Sequence, residues 1–315
     1  MNLVPFDYQL PFGATWYGLA AALSALCAFL LYGAIRRRSG AAGADDLVPY
    51  KMALACIPAA LVGARLSYCL LRISYFVYDV GLLQAFNTRT GGFLLYGAVF
   101  GAMGAAVLVA KREKLSAVGV LDDLAAPGML AIMICRLAEC TTTEGVGAWM
   151  ENEAFMRFPI AVMNEWEEWQ LAVFLLEALV AAVILAVLLA RRYARGERIM
   201  TALLLYAACQ VVCESLRMDS CLRFGFVRVS QVISAFVILA VLVIRSRRCE
   251  GSKRLAVRVL VLLACAGAVG GLEWALDKTE VSNVLLYIVM AAVSAVMIVN
   301  AMGCGRQDDT KANAE

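Results

Sequence analysis

The chain has 315 residues, of which 63% are apolar and only 17% charged, with a net charge of +3. That composition excludes an ordinary soluble globular protein and a disordered one. It also lacks any basic patch interleaved with aromatics for nucleic acid, and it contains no histidine, which removes the usual general base and the commonest metal ligand.

Met1–Pro11 carries no basic residue, and the first apolar run, Gly13–Ile35, is followed by Arg36, Arg37 and Arg38. A secretory signal places its positive charge before the apolar stretch, so this order predicts an uncleaved membrane helix with its N-terminus outside. Ser39–Asp46 is a small polar linker. Further apolar runs at roughly 52–78, 92–110, 117–135, 170–190, 200–217, 229–244, 254–276 and 281–301 make nine candidate membrane helices with the first. The run 229–244 is short, but Arg228 and Arg245 can snorkel at its ends. The expected architecture is an all-α polytopic membrane helical bundle without internal repeats.

With the N-terminus outside, the inner segments hold most of the positive charge. They contain Arg36–Arg38 and Lys51, then Lys111, Arg112 and Lys114, then Arg191, Arg192, Arg195 and Arg198, then the basic stretch from Arg245 to Arg258, and finally Arg306 and Lys311. The outer segments hold fewer, among them Arg89, Arg136, Arg157 and Arg223. This bias fixes the orientation and puts the C-terminus in the cytoplasm. The 11 cysteines fall mostly within apolar runs with no metal-type spacing, which reads as small packing residues. Cys140 and Cys221 could both face outside, where a disulfide is open to them. No metal and no cofactor is expected.

The most informative stretch is C-R-L-A-E-C-T-T-T-E-G-V-G, Cys135–Gly147, which ends an apolar run with charge, hydroxyls and glycines together. It reads either as an interfacial loop in which Arg136 anchors a helix end or as a holder of a lipid phosphate. The outer segment that follows, as far as Trp169, is acidic and rich in tryptophan, and a loop of that length is functional or disordered. Charged residues inside membrane helices cost roughly 2.5–3.5 kcal/mol each at mid-helix and need a reason. Arg65 and Glu177 are each expected about 10 Å below the outer surface. Tyr17 and Tyr96 lie about 6 Å deep, and Glu214 and Arg217 close the sixth run near its outer end. These groups collect in the outer third of the bilayer, the level of an outer-leaflet phosphate. They read either as Arg–Glu pairs that hold helices together or as a phospholipid site.

These residues resemble the prolipoprotein diacylglyceryl transferases of bacterial inner membranes. The family signature G-R-x-[GA]-N-F-x-N-x-E-x-x-G is matched at Arg136, Ala138, Glu144 and Gly147 and departed from at Cys135, Glu139, Cys140 and Thr142. Other landmarks follow in the family's order: Trp16-Tyr17-Gly18; Gly63, Arg65, Leu66 and Tyr68; Asp123, Ala126 and Pro127; Gln170, Leu171 and Glu177; Glu214 and Arg217; Ser230 and Gln231. The family's histidine is replaced by Tyr96, an arginine of its sixth helix by Gln210, and the signature asparagine by Glu139.

The resemblance covers residues 10–245. It implies seven family-like membrane helices, with two further C-terminal helices beyond them. This gives a transferase-like membrane domain over 1–250 and an addition over 251–315. It implies transfer of diacylglyceryl from phosphatidylglycerol to the lipobox cysteine in a prolipoprotein signal peptide, within the bacterial plasma membrane. Arg136, Glu144, Glu214 and Tyr96 become the catalytic candidates, and Tyr17, Arg65, Arg136, Glu139 and Gly147 the substrate-binding ones. The partners are phosphatidylglycerol, prolipoproteins and the lipid bilayer, with no nucleic acid. The alternatives are a lipid- or lipoprotein-binding relative without transfer, motivated by the lost histidine, and a small-molecule transporter. The enzyme reading requires the Arg136 side chain to be reachable from lipid rather than closed off by carboxylates.

Overall fold

The computed structural model describes all residues except 1–14, 41–45, 89–90, 143, 165, 219–221, 225–226, 250–251, 279–281 and 304–315. The N-terminal segment before the first helix, most of the C-terminal tail and Cys221 therefore lie outside the described residues. Cys140 packs half-buried beside Val162 and Phe174.

Nine helices among the described residues are long and apolar enough to cross a membrane. They are α1 (Trp16–Arg38), α2 (Val48–Leu71), α3 (Leu95–Arg112), α4 (Ala117–Ala138), α5 (Val173–Ala190), α6 (Glu197–Leu216), α7 (Val229–Cys249), α8 (Ser252–Lys278) and α9 (Asn283–Met302). The apolar runs are thus realised as an all-α polytopic bundle. The second run is shorter than its hydropathy implies: α2 stops at Leu71, and residues 75–80 form a separate π-helical turn followed by a 3-10 turn over 82–86.

The chain divides into two compact units. One takes residues up to Ala21, Ile132–Val187 and everything from Met200; the other takes Ala22–Ala131 and Leu188–Ile199. In the second unit α2 and α3 cross at Ala59, Gly63, Gly97 and Gly101, a small-xxx-small pattern on both helices. A Cβ added at Gly63 would strike the Gly97 carbonyl, and one at Gly101 the Ala59 carbonyl. Without a hydrophobic force between helices in lipid, such close backbone approach supplies the packing. Asp122, which interrupts the fourth apolar run, accepts from the backbone N–H of Gly196 at 2.5 Å and of Ile199 at 2.9 Å. It thereby satisfies donors at the start of α6 that the helix itself leaves open.

In the first unit the described residues of the long segment after α4 take up defined turns and strands. They include an antiparallel hairpin, β1 (Ala161–Met163) with β2 (Trp169–Leu171), with Val162 opposite Gln170. A second short pair, β3 (Arg223–Phe224) with β4 (Val227–Arg228), precedes α7. The C-terminal helices pack on this unit, α8 and α9 against each other and both against α7. Buried Glu273 of α8 accepts from Gln231 of α7 at 2.5 Å and from Ser215 of α6. Arg258 and Asn300 exchange hydrogen bonds between α8 and α9, that from Asn300 to the Arg258 carbonyl at 2.9 Å.

Candidate active site

Arg136 lies in the last turn of α4, and the residue is only 8% exposed. One nitrogen lies 2.5 Å from Glu139, three residues on, and Nε lies 3.1 Å from Glu177 of α5. Arg217, just past the end of α6, reaches the same two carboxylates, Glu177 at 3.3 Å and Glu139 at 3.8 Å. The result is a closed square of two guanidiniums and two carboxylates, all buried. Its charges sum to zero, which is how a membrane interior tolerates four ionised groups. Glu177 sits four residues into α5, about 6 Å along the helix, so it is nearer the helix start than the sequence count gave.

Gln210 extends the square. Its amide donates to Glu177 at 2.9 Å and to Glu214, one turn along α6, at 3.1 Å. A guanidinium at this position would add a third positive charge; the amide bridges two carboxylates without one. Glu214 is buried and takes its hydrogen bond from this neutral amide. Arg228 donates to the Arg217 carbonyl and so ties the start of α7 to the end of α6.

The signature loop docks on that same helix end. Gly147 pairs with Arg217 in an isolated antiparallel bridge and donates its N–H to the Leu171 carbonyl at 2.8 Å. A Cβ on Gly147 would lie 2.6 Å from the Leu216 carbonyl, so the close approach requires glycine. Gly145 has φ of +76° and sits against the Glu139 carboxylate. The threonines tighten the turn: Thr141 donates to the Ala138 carbonyl at 2.8 Å and Thr142 to the Glu139 carbonyl at 2.9 Å.

The sequence candidates divide between the two units. The first holds Arg136, Glu139, Gly147 and Glu214 in one cluster. Glu144 is exposed on the loop, and Tyr17 of α1, 36% exposed, lies within electrostatic reach of Arg136, Glu139 and Glu144. The second holds Tyr96 and Arg65. Tyr96 is buried at the start of α3 and stacks on Phe100 with ring centroids 6.1 Å apart. Arg65 is also 8% exposed, but its partners are backbone carbonyls of the α2–α3 connection: Ala85 at 2.9 Å, Gln84 at 3.0 Å, Asn87 at 2.8 Å, Gly92 at 3.1 Å, and Gly91. Sequence reasoning grouped Glu177 and Arg217 with the polar residues of the outer third but counted neither them nor Gln210 among the catalytic or substrate-binding candidates. The i, i+4 spacing of Gln210 and Glu214 and the intramembrane position of Glu177 were the available signals.

Membrane helices closing on a buried Arg–Glu square beside a glycine loop define a polytopic membrane protein with an ionic centre at one end of its spans. The comparisons make the class specific. The family model for prolipoprotein diacylglyceryl transferase matches residues 5–246. A phosphatidylglycerol–prolipoprotein diacylglyceryl transferase of Clostridium kluyveri is 29% identical over 229 residues, covering 71% of this chain and 88% of the relative. One of Bacillus cereus is 30% identical over 251 residues, covering 76% and 90%, and one of Enterococcus faecalis is 32% identical over 199 residues, covering 60% and 70%. The chain belongs to the prolipoprotein diacylglyceryl transferase family. The match stops before α8 and α9.

Proposed function

We propose that the chain transfers the diacylglyceryl group of phosphatidylglycerol to the lipobox cysteine of prolipoprotein signal peptides, with the Arg136 cluster as its reaction centre. The observation that carries this reading is the docking of the signature loop on the end of α6, which sets Arg136 beside Arg217. In the reaction a sulfur–carbon bond forms at the glycerol carbon, the carbon–oxygen bond to phosphate breaks, and glycerol phosphate leaves. The phosphate gains a negative charge as that bond breaks, so a fixed guanidinium stabilises the transition state more than the ground state. Arg136 takes that role, and Tyr17 and Gly147 shape the headgroup's approach.

Arg136 starts from an ion pair, so phosphate must replace a carboxylate. Glu139 is the partner that yields. It stands on a single 3-10 turn beside the exposed loop at Glu144, whereas Glu177 is held within α5 by Gln210 and Arg217. The thiol proton needs an acceptor, and the chain has no histidine. Glu214, whose partner is a neutral amide, and Glu144, on the loop, are the carboxylates available. The leaving glycerol phosphate, with a second pKa of about 6, completes the proton balance.

The basic bias of the loops supports a plasma-membrane protein with its N-terminus outside and its C-terminus in the cytoplasm. Residues 1–250 form the transferase-like domain and 251–315 an added helical pair, in keeping with where the family match ends. Purified protein in phosphatidylglycerol nanodiscs with a lipobox peptide is expected to give a thioether-linked diacylglyceryl mass increase. No product between pH 5 and 9, in about any buffer compatible with the fold, would overturn the transfer reading. It would favour the second one, a lipid-binding relative held inactive by the Arg136–Glu139 pair.

A further inference from the structure

The connection between α2 and α3 forms a half-open cavity whose described lining falls between Arg65 and Gly91. It has a volume of about 330 Å³ and is lined by Arg65, Tyr68, Arg72, Tyr75, Gln84 and Gly91 among others. That size falls in the range of small-ligand pockets, about 300–1,000 Å³. The two guanidiniums play different parts. Arg65 spends its donors on the carbonyls that fold the connection. Those carbonyls are dipoles, not charges, so among the described residues no carboxylate compensates its positive charge.

Arg72 follows the last residue of α2 and is half-buried. Its guanidinium lies 5.6 Å from the Tyr68 ring centre and 6.0 Å from that of Tyr75. Rings hold a guanidinium through its faces and leave the N–H donors at its edge. Among the described residues Arg72 has no carboxylate or carbonyl acceptor for them. The one acidic side chain between positions 65 and 91, Asp79, is exposed on the π-helical turn and does not line the cavity.

A cation beside a helix end is most often an anchor at the membrane surface. Two features go beyond an anchor here: a half-open cavity with mixed polar and apolar lining, and in its wall a second guanidinium that meets no carboxylate among the described residues. The surroundings fix the kind of ligand. The connection joins the ends of two membrane spans and displays Tyr78, Leu83 and Phe86 at 84%, 85% and 83% exposure. Side chains of that kind, so exposed beside span ends, belong in the interfacial layer of a bilayer, where phospholipid phosphates lie.

We propose that Arg72, with Arg65 behind it and Tyr68 and Tyr75 at its faces, binds the phosphate of an anionic phospholipid headgroup. This site shares no residue with the Arg136 cluster and does not rest on the transfer reading. A chain without transfer activity that still binds lipid through Arg72 leaves it standing.

The test uses the full chain in detergent micelles, titrated with phosphatidylglycerol and followed by native mass spectrometry. Phosphatidylcholine and inorganic phosphate serve as competitors. Arg72→Ala is expected to lose one bound phosphatidylglycerol per chain, weakening that binding step by about tenfold or more, with an unchanged melting temperature. Arg72→Lys keeps the charge but not the fork, and is expected to lie between the two. It stands in if the alanine variant does not fold. Unchanged stoichiometry and affinity in both variants would overturn the proposal. So would displacement of the lipid by inorganic phosphate or phosphatidylcholine at matched concentration, which would leave a general anion or phospholipid contact instead.

Discussion

Arg65 and Arg136 are the same residue type at the same exposure, 8%, in membrane helices, and they solve burial in opposite ways. Arg65 is surrounded by neutral carbonyls of one connection, and its glycines explain how the backbone reaches it. Gly92, at φ of +79°, lies so close to Arg65 and Tyr68 that a Cβ would collide with both. Arg136 is surrounded by ionised side chains from two elements, Glu139 and Glu177, which Arg217 shares. The first arrangement pins a fold and keeps a net charge. The second is neutral and exchangeable, because another anion can take the place of a carboxylate. A structural arginine and the one proposed to react are thus separated by the kind of partner, not by burial.

The largest expected effect falls on the structural arginine. Arg65→Ala leaves several buried carbonyls without donors, at about 1–3 kcal/mol for each orphaned group. It is expected to lower the melting temperature in nanodiscs sharply or to abolish accumulation. A variant that melts like the native chain would break the contrast. Next is Arg136→Ala, expected to reduce transfer by roughly 100-fold or more. It also leaves Glu139 and Glu177 short of a cation, so Arg136→Lys is needed beside it. The lysine variant keeps the charge, and it is expected to recover stability more fully than rate, because the fork that grips phosphate is missing. Equal recovery of both would make Arg136 as structural as Arg65.

The smallest effect, and the sharpest, is that of Glu139→Asn. It removes one carboxylate from the square and leaves Arg136 paired with Glu177 alone. Transfer at limiting phosphatidylglycerol is expected to rise by about tenfold at most, with a lower KM. A fall in rate at unchanged stability would show that the carboxylate takes part in the reaction instead of restraining it.

The helical bundle was legible because hydropathy reports directly on which segments can leave water, and each apolar run holds one long helix. The end of the second run was not, since Arg72 and the turns after it depend on how the connection wraps Arg65. The signature loop was legible as a candidate site because charge, hydroxyl and glycine stood together at Cys135–Gly147. The tasks of Glu177, Arg217 and Gln210 were not, because they come from α5 and α6, far along the chain from Arg136. Asp122 is a similar case. It interrupts an apolar run without evident cause, and its reason is a pair of backbone donors more than seventy positions on.

The amino-acid sequence by itself determined how many segments enter the membrane, the basic bias of their loops, and which residues carry the family pattern. These follow from composition and order, which every chain of this sequence possesses before it folds. Only the tertiary structure decided which charge meets which. In a low-dielectric interior each ion must find a counter-ion or a ring of dipoles, and that choice depends on helix contacts between distant positions. The chain could show that Arg65 and Arg136 needed partners; folding gave one of them carbonyls and the other carboxylates.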